Sequence, residues 1–194
     1  ERAKIIEIVR HPLYMVSHWS SYLERFNSPR EFTVSFQHKG IKVPWFVAGW
    51  EDEYIEANEM DKVLICLIRL YAWLDDSTDK ALTSGHQVLT ISFETLVMSP
   101  DKPLKELEAF LGRKHYPRLS SLLRKQKVPR KTILHGRGRS QYGWSYNDAK
   151  SEEQVYNQSL EQVKINGTSE HISDFLKLIE RYNQKQPSIL CAFQ

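Results

Sequence analysis

The chain has 194 residues, of which 41% are hydrophobic, 11% aromatic and 26% charged. This composition is typical of one globular domain and excludes a disordered chain. Two cysteines exclude a disulfide-stabilised scaffold. No apolar run reaches the ~18 residues that a membrane-spanning helix needs, so we expect no membrane span.

Positive charge is concentrated in one segment, residues 113–147. The segment has no Asp or Glu, whereas the rest of the chain has 17 basic and 24 acidic residues, a net charge of −7. A local excess of this kind usually faces a polyanion or a multiply charged small anion. The alternative is a solvated face that contacts an acidic patch of the same fold. The basic residues are Arg113, Lys114, Arg118, Arg124, Lys125, Lys127, Arg130, Lys131, Arg137 and Arg139.

The first third of the chain predicts a strand, a helix and an irregular segment. Residues 4–9 have the apolar pattern of a buried strand. Pro12 then stands where a helix accepts a first-turn proline, and the apolar spacing predicts a helix over 12–26. Residues 27–60 mix Pro, Gly and aromatic residues, which predicts an irregular insertion or lid with a short helix at 51–56.

The remaining elements alternate between helices and one further strand. An apolar stripe predicts a helix over 60–82, and β-branched residues predict a strand over 88–92. The later predicted helices are 94–97, 101–111, 116–126, 151–164 and 169–183, with a basic loop at 129–147. Strands separated by helices predict an α/β fold with a parallel sheet flanked by helices.

Two strands are too few for a stable open sheet. The chain also begins at Glu1, almost directly on a strand. We therefore expect residues 1–194 to form a single domain that is truncated at its N-terminus, with further strands upstream.

An arginine at the end of the first strand is the strongest candidate for chemistry. Arg10 follows the strand directly, so it points into the crevice where open α/β sheets bind ligands. Its planar guanidinium matches a phosphate in bidentate fashion. Ser17, on the following helix, can add a hydroxyl to the same oxygens. The alternative is an ordinary charge at a strand end and a surface hydroxyl.

Two segments of the sequence carry extended motifs. One comprises residues 6–12 with 16–19, and the other residues 88–96, 99–100 and 107–112, where a strand ends in an aromatic–acidic turn. The first resembles the 3′-phosphate-binding segment of PAPS-dependent sulfotransferases, and the second resembles another signature of that family. A third, weaker match is Arg137-Gly138-Arg139, which resembles the family's late basic loop. The resemblance covers about residues 4–145 and implies a three-layer sandwich like that of P-loop nucleotide hydrolases.

The resemblance implies an enzyme that transfers a sulfuryl group from 3′-phosphoadenosine 5′-phosphosulfate (PAPS) to a hydroxyl or amine of a carbohydrate or small-molecule acceptor. Arg10 and Ser17 would hold the 3′-phosphate, and Phe93 would pack on the adenine. Arg137, Gly138 and Arg139 would close from the other side, with Arg130 and Lys131 as second candidates. The product would be adenosine 3′,5′-bisphosphate, and no metal is expected.

The chain departs from the family pattern in several places. The turn after Arg10 is one residue shorter than usual, so His18 takes the place of Ser17 if the register follows Pro12, and Ser20 and Ser21 are further alternatives. Phe93 stands where many relatives have Tyr, and Gly138 where a Lys is common. The family's phosphosulfate loop and usual catalytic base have no counterpart. We expect both upstream of Glu1, so the catalytic residue stays unknown, with His18 the weak candidate.

The aromatic residues Trp45, Phe46 and Trp50 are candidates for an acceptor wall, with core packing as the alternative reading. Two other functions remain open: a non-enzymatic polyanion or nucleic-acid binder that uses residues 113–139, and another P-loop nucleotide enzyme such as a kinase. Stacking aromatics are sparse in the basic segment, which makes nucleic acid the less favoured partner. Cysteine usage permits a reducing compartment, so we expect a cytoplasmic protein, with the Golgi lumen as the alternative.

Overall fold

A computed structural model describes residues 2–26, 28, 33–130, 133 and 152–186. The chain divides into two compact units. The first comprises Glu1–His11, Asp75–Asn157 and Tyr182–Gln194, and the second Pro12–Leu74 and Gln158–Arg181. The fold is α/β and mostly helical in its described part. Three long helices, α3 (Glu59–Thr83), α7 (Glu152–Asn166) and α8 (Ser169–Lys185), supply residues to both units.

The first unit is built around two parallel strands, β1 (Lys4–Val9) and β4 (Gln87–Ser92). The register pairs Ile8 with Ile91 and Val9 with Ser92, so both strands end at the same level. This confirms the two predicted strands and their parallel pairing. Because the carboxyl ends of parallel strands share one edge, the residues that follow Val9 and Ser92 leave the sheet side by side.

The isoleucines of β1 are not buried as their apolar pattern predicts. Ile6 is 42% exposed and Ile8 57% exposed, and Ile5 is exposed as well. A strand whose residues are nearly all apolar is buried only where other elements cover both faces of its sheet. The described sheet has only two strands, and these isoleucines stay exposed.

Helices follow β4 as predicted. Ser92 caps α4 (Phe93–Met98), because its Oγ accepts a hydrogen bond from the backbone N–H of Thr95 at 3.3 Å. Helix α5 (Asp101–Leu111) ends at Gly112, whose φ of 68° is the left-handed conformation that glycine adopts without strain. Helix α6 (Leu119–Lys125) is shorter than the 116–126 predicted.

The second unit begins with α1 (Pro12–Arg25) and contains the segment predicted to be irregular. Within residues 27–60 the prediction is too coarse, since β2 (Ser35–His38) and β3 (Ile41–Pro44) form an antiparallel hairpin. A 3-10 helix (Trp45–Val47) and α2 (Glu51–Glu56) follow. The hairpin turns at Lys39 and Gly40, with φ of 50° and 79°, the positive values of a type I′ turn.

The core of the second unit forms on α3. Val63, Leu64 and Leu67 from the predicted stripe are buried. The buried Asp61 side chain accepts hydrogen bonds from Asn58 Nδ2 at 2.7 Å and from the backbone N–H of Thr168 at 2.9 Å. One carboxylate thus stabilises the N-terminal turns of α3 and α8.

In the described part of the chain, no helix combines the length and the apolar character needed to cross a bilayer.

Candidate anion-binding site at the edge of the parallel sheet

Arg10 and Phe93 meet at the carboxyl edge of the parallel sheet. Each is the first residue after its strand, and the register places the two strand ends side by side. The Arg10 guanidinium carbon lies 5.1 Å from the centroid of the Phe93 ring, in cation–π distance. Both side chains are half-buried. The edge therefore presents one cation next to one aromatic ring, where open α/β sheets bind ligands.

A buried carboxylate fixes the backbone on both sides of this pair. The Oε1 atom of Glu94 accepts a hydrogen bond from the backbone N–H of His11 at 2.9 Å. Its Oε2 atom accepts from Ser92 Oγ at 3.0 Å and from the Tyr182 hydroxyl at 2.9 Å. Glu94 is fully buried. Since His11 follows Arg10 and Glu94 follows Phe93, this hydrogen bond holds the two site residues in register.

The His11 ring is packed between two tyrosines. Its centroid lies 5.2 Å from that of Tyr182 and 5.8 Å from that of Tyr156, both in edge-to-face geometry. Burial lowers the pKa of His11 to about 4, against a smaller opposing effect of the Asn183 side chain. The ring is therefore neutral near pH 7, and it is a packing element behind Arg10.

A second guanidinium approaches the same aromatic ring. Arg130 lies 5.6 Å from the Phe93 centroid, and its backbone N–H donates to the Val97 carbonyl oxygen at 2.8 Å. Its Nη1 atom donates to the Ile133 carbonyl oxygen at 3.2 Å. Burial, and then the positive charge of Arg10, lower the pKa of Arg130. Two cations thus share one aromatic neighbour.

Arg130 differs from the other described members of the basic segment. Arg113, Arg118, Arg124 and Lys125 are exposed, whereas Arg130 is half-buried. In the sequence Arg130 is only a second candidate after Arg137, Gly138 and Arg139, because tertiary contacts alone bring it to Phe93. Arg137, Gly138 and Arg139 lie outside the described residues, and so does Lys131; their assignment to the phosphate stays a prediction.

The other predicted nucleotide-binding residues lie on α1. Ser17 and His18 are exposed residues of this helix, in the second unit, whereas Arg10 belongs to the first. Their roles at the phosphate stay predictions. No sequence pattern identifies Ser92 or Tyr182 as site residues, whereas an acidic residue after an aromatic one at a strand end is a signal for Glu94.

The predicted acceptor residues lie in two aromatic groups of the second unit. The Phe46 centroid lies 5.4 Å from that of Trp19 and 6.0 Å from that of Trp45. Trp50 packs instead against Tyr54, at 5.9 Å between centroids. Phe46 thus packs against two tryptophans, whereas Trp45 is 59% exposed.

Within the described ranges, no three His, Cys, Asp or Glu side chains lie close enough together to hold a metal ion. Comparisons of the chain with models of protein families, with curated proteins and with solved structures found no match.

Proposed function

We propose that this chain is part of a PAPS-dependent sulfotransferase, whose fold is the three-layer sandwich of P-loop nucleotide hydrolases. The observation that carries the proposal is the pairing of Arg10 with Phe93 at the carboxyl edge of two parallel strands. A guanidinium beside an aromatic ring fits a phosphate that is attached close to a purine. The exposed isoleucines of β1 fit a sheet with more strands than the two described.

The residues in the described part fit the nucleotide half of such a site. Arg10 would bind the 3′-phosphate with its planar fork, and the Phe93 ring would pack against the adenine. Ser17, Arg137, Gly138 and Arg139 would complete the phosphate contacts, as the sequence resemblance implies. PAPS would supply the activated sulfuryl group, and the chain's own residues bind and orient the nucleotide.

The acceptor would be a carbohydrate or a small molecule with a hydroxyl or an amine. Trp45 supports this part of the proposal, because an exposed indole offers a stacking surface for a sugar or an aromatic ring. Trp50 is a weaker candidate than the sequence analysis assumes, since its ring packs on Tyr54 and the Arg69 guanidinium lies 4.6 Å from its centroid. We place the enzyme in the cytoplasm, with the Golgi lumen as the alternative.

Calorimetric titration with adenosine 3′,5′-bisphosphate and with 5′-AMP tests the proposal. We expect the bisphosphate to bind more tightly, because only it carries the 3′-phosphate. Equal affinity for both ligands would contradict the proposal. Two further titrations, with magnesium-ATP and with a DNA duplex at two salt concentrations, distinguish a kinase and a polyanion binder; the latter requires steeply salt-dependent binding.

A further inference from the structure

We propose that Arg130 is a second phosphate-binding residue of this site and that, together with Arg10, it makes the site selective for a dianionic phosphate monoester. The inference rests on the proposed function, because the anion is taken to be the 3′-phosphate of the nucleotide. It gives Arg130, a second candidate in the sequence, a defined role at the phosphate, and it adds a requirement for the charge of the ligand that the sequence resemblance does not supply.

Arg130 lies at the same aromatic ring as Arg10. Its guanidinium lies 5.6 Å from the Phe93 centroid, and that of Arg10 lies 5.1 Å from the same centroid. The two residues are 120 positions apart in the sequence. The backbone hydrogen bond from Arg130 to Val97 connects the residues that follow α6 to α4, the helix that begins with Phe93. The fold therefore brings the second cation to the ring through defined contacts.

The Arg130 guanidinium is partly buried and lies near another cation. Its Nε atom is buried and has no hydrogen-bond partner among the described residues. Its Nη1 atom donates to the neutral Ile133 carbonyl. Burial and the neighbouring Arg10 charge both disfavour the cation. A like-charged pair in a partly buried place has an unfavourable energy that a bound anion offsets.

The charge of the ligand follows from the charge of the pair. Two guanidiniums can each bind two oxygens, and a phosphate monoester has three terminal oxygens and a charge of about −1.5 to −2 at pH 7. A phosphodiester or a sulfate ester has a single negative charge, so it attracts the two guanidiniums less strongly than a dianion does. Protonation of the monoester, with a second pKa of about 6, removes the same charge.

The experiment compares wild type, Arg130→Gln and the control Arg181→Ala, each titrated with adenosine 3′,5′-bisphosphate at pH 7.5 and 5.5. Arg181 is an exposed arginine of α8 outside the basic segment, so this variant controls for the loss of one positive charge elsewhere on the chain. We expect Arg130→Gln to weaken binding about tenfold or more at pH 7.5 and clearly less at pH 5.5. Arg181→Ala should change the affinity by less than about twofold. Thermal unfolding verifies that both variants fold.

The outcomes separate this inference from the proposed function. If wild type prefers the bisphosphate over 5′-AMP and Arg130→Gln binds like wild type, the Arg130 assignment is overturned and the function stands. Equal weakening in Arg130→Gln and Arg181→Ala also overturns it.

If wild type does not distinguish the nucleotides, inorganic phosphate is the next probe. If phosphate then stabilises wild type but not Arg130→Gln against thermal unfolding, the site binds phosphate through Arg130 but the sulfotransferase function is overturned. If phosphate stabilises the two proteins equally, or neither of them, the Arg130 assignment and the proposed function are both overturned. Should Arg130→Gln not fold, Arg130→Lys replaces it and should bind with intermediate affinity.

Discussion

The backbone N–H of His11 donates a hydrogen bond to Oε1 of Glu94 over 2.9 Å, and both residues are fully buried. This single contact joins the two places where the chain leaves the parallel sheet. It explains why Arg10 and Phe93, 83 positions apart in the sequence, lie at cation–π distance. The arrangement of the candidate site therefore depends on residues that would not touch a ligand.

Replacement of Glu94 by Gln should destabilise the protein. The amide oxygen can still accept from the His11 N–H, but the amide nitrogen is a donor, so the Ser92 and Tyr182 hydroxyls lose the acceptor that they share. We expect a loss of about 1–3 kcal/mol in the free energy of unfolding, the cost of leaving a buried polar group without its hydrogen-bond partner. Urea denaturation measures it. The exposed Glu106→Gln on α5 is the control and should stay within about 0.5 kcal/mol of wild type.

Acid should destabilise the protein through His11. Burial lowers its pKa from 6.5 to about 4, so between these values the unfolded chain binds a proton that the folded chain does not. The contribution of His11 is complete above about pH 6.5 and falls by about 1.4 kcal/mol per pH unit as the pH decreases toward 4.

The variant His11→Phe isolates this effect. A neutral ring between Tyr156 and Tyr182 preserves the packing and does not titrate. The difference in unfolding free energy between wild type and variant should therefore decrease toward acid pH relative to its value at pH 7. A difference that is constant from pH 7 to pH 4.5 would show that His11 is not buried as a neutral ring.

Cys66 should be unreactive in the folded protein. Its side chain is buried in α3, and burial raises its pKa to about 12. At pH 8 roughly one thiol in ten thousand is then ionised, and the thiolate is the reactive form. We expect no labelling by a maleimide in native buffer and full labelling in denaturant, as measured by mass spectrometry. A Cys191→Ser background removes the other cysteine, and rapid native labelling of Cys66 would contradict its burial.

Local patterns predicted the helices and the paired strands well. The apolar stripe of α3 and the terminator Gly112 are signals within a few residues, and both are confirmed. The hairpin of β2 and β3 was missed, because strands of four residues are too short for an alternation to stand out. Its turn at Lys39-Gly40 was the available signal.

The candidate site was predictable in part. Arg10 and Phe93 each follow a predicted strand, so their proximity can be predicted once the two strands are paired in the correct parallel register. Arg130 and Tyr182 reach the same region through tertiary contacts, which no local pattern encodes. Similarly, the exposure of Ile6 and Ile8 depends on how many strands pair with β1, which the strand's own sequence does not specify.

The most direct test of the central claim, that Arg10 binds the 3′-phosphate, is a thermodynamic cycle measured by calorimetry. It combines wild type and Arg10→Ala with adenosine 3′,5′-bisphosphate and 5′-AMP. The account predicts that the variant weakens binding of the bisphosphate by roughly 2–4 kcal/mol and leaves the affinity for 5′-AMP nearly unchanged. Equal weakening of both ligands, or none, would contradict it.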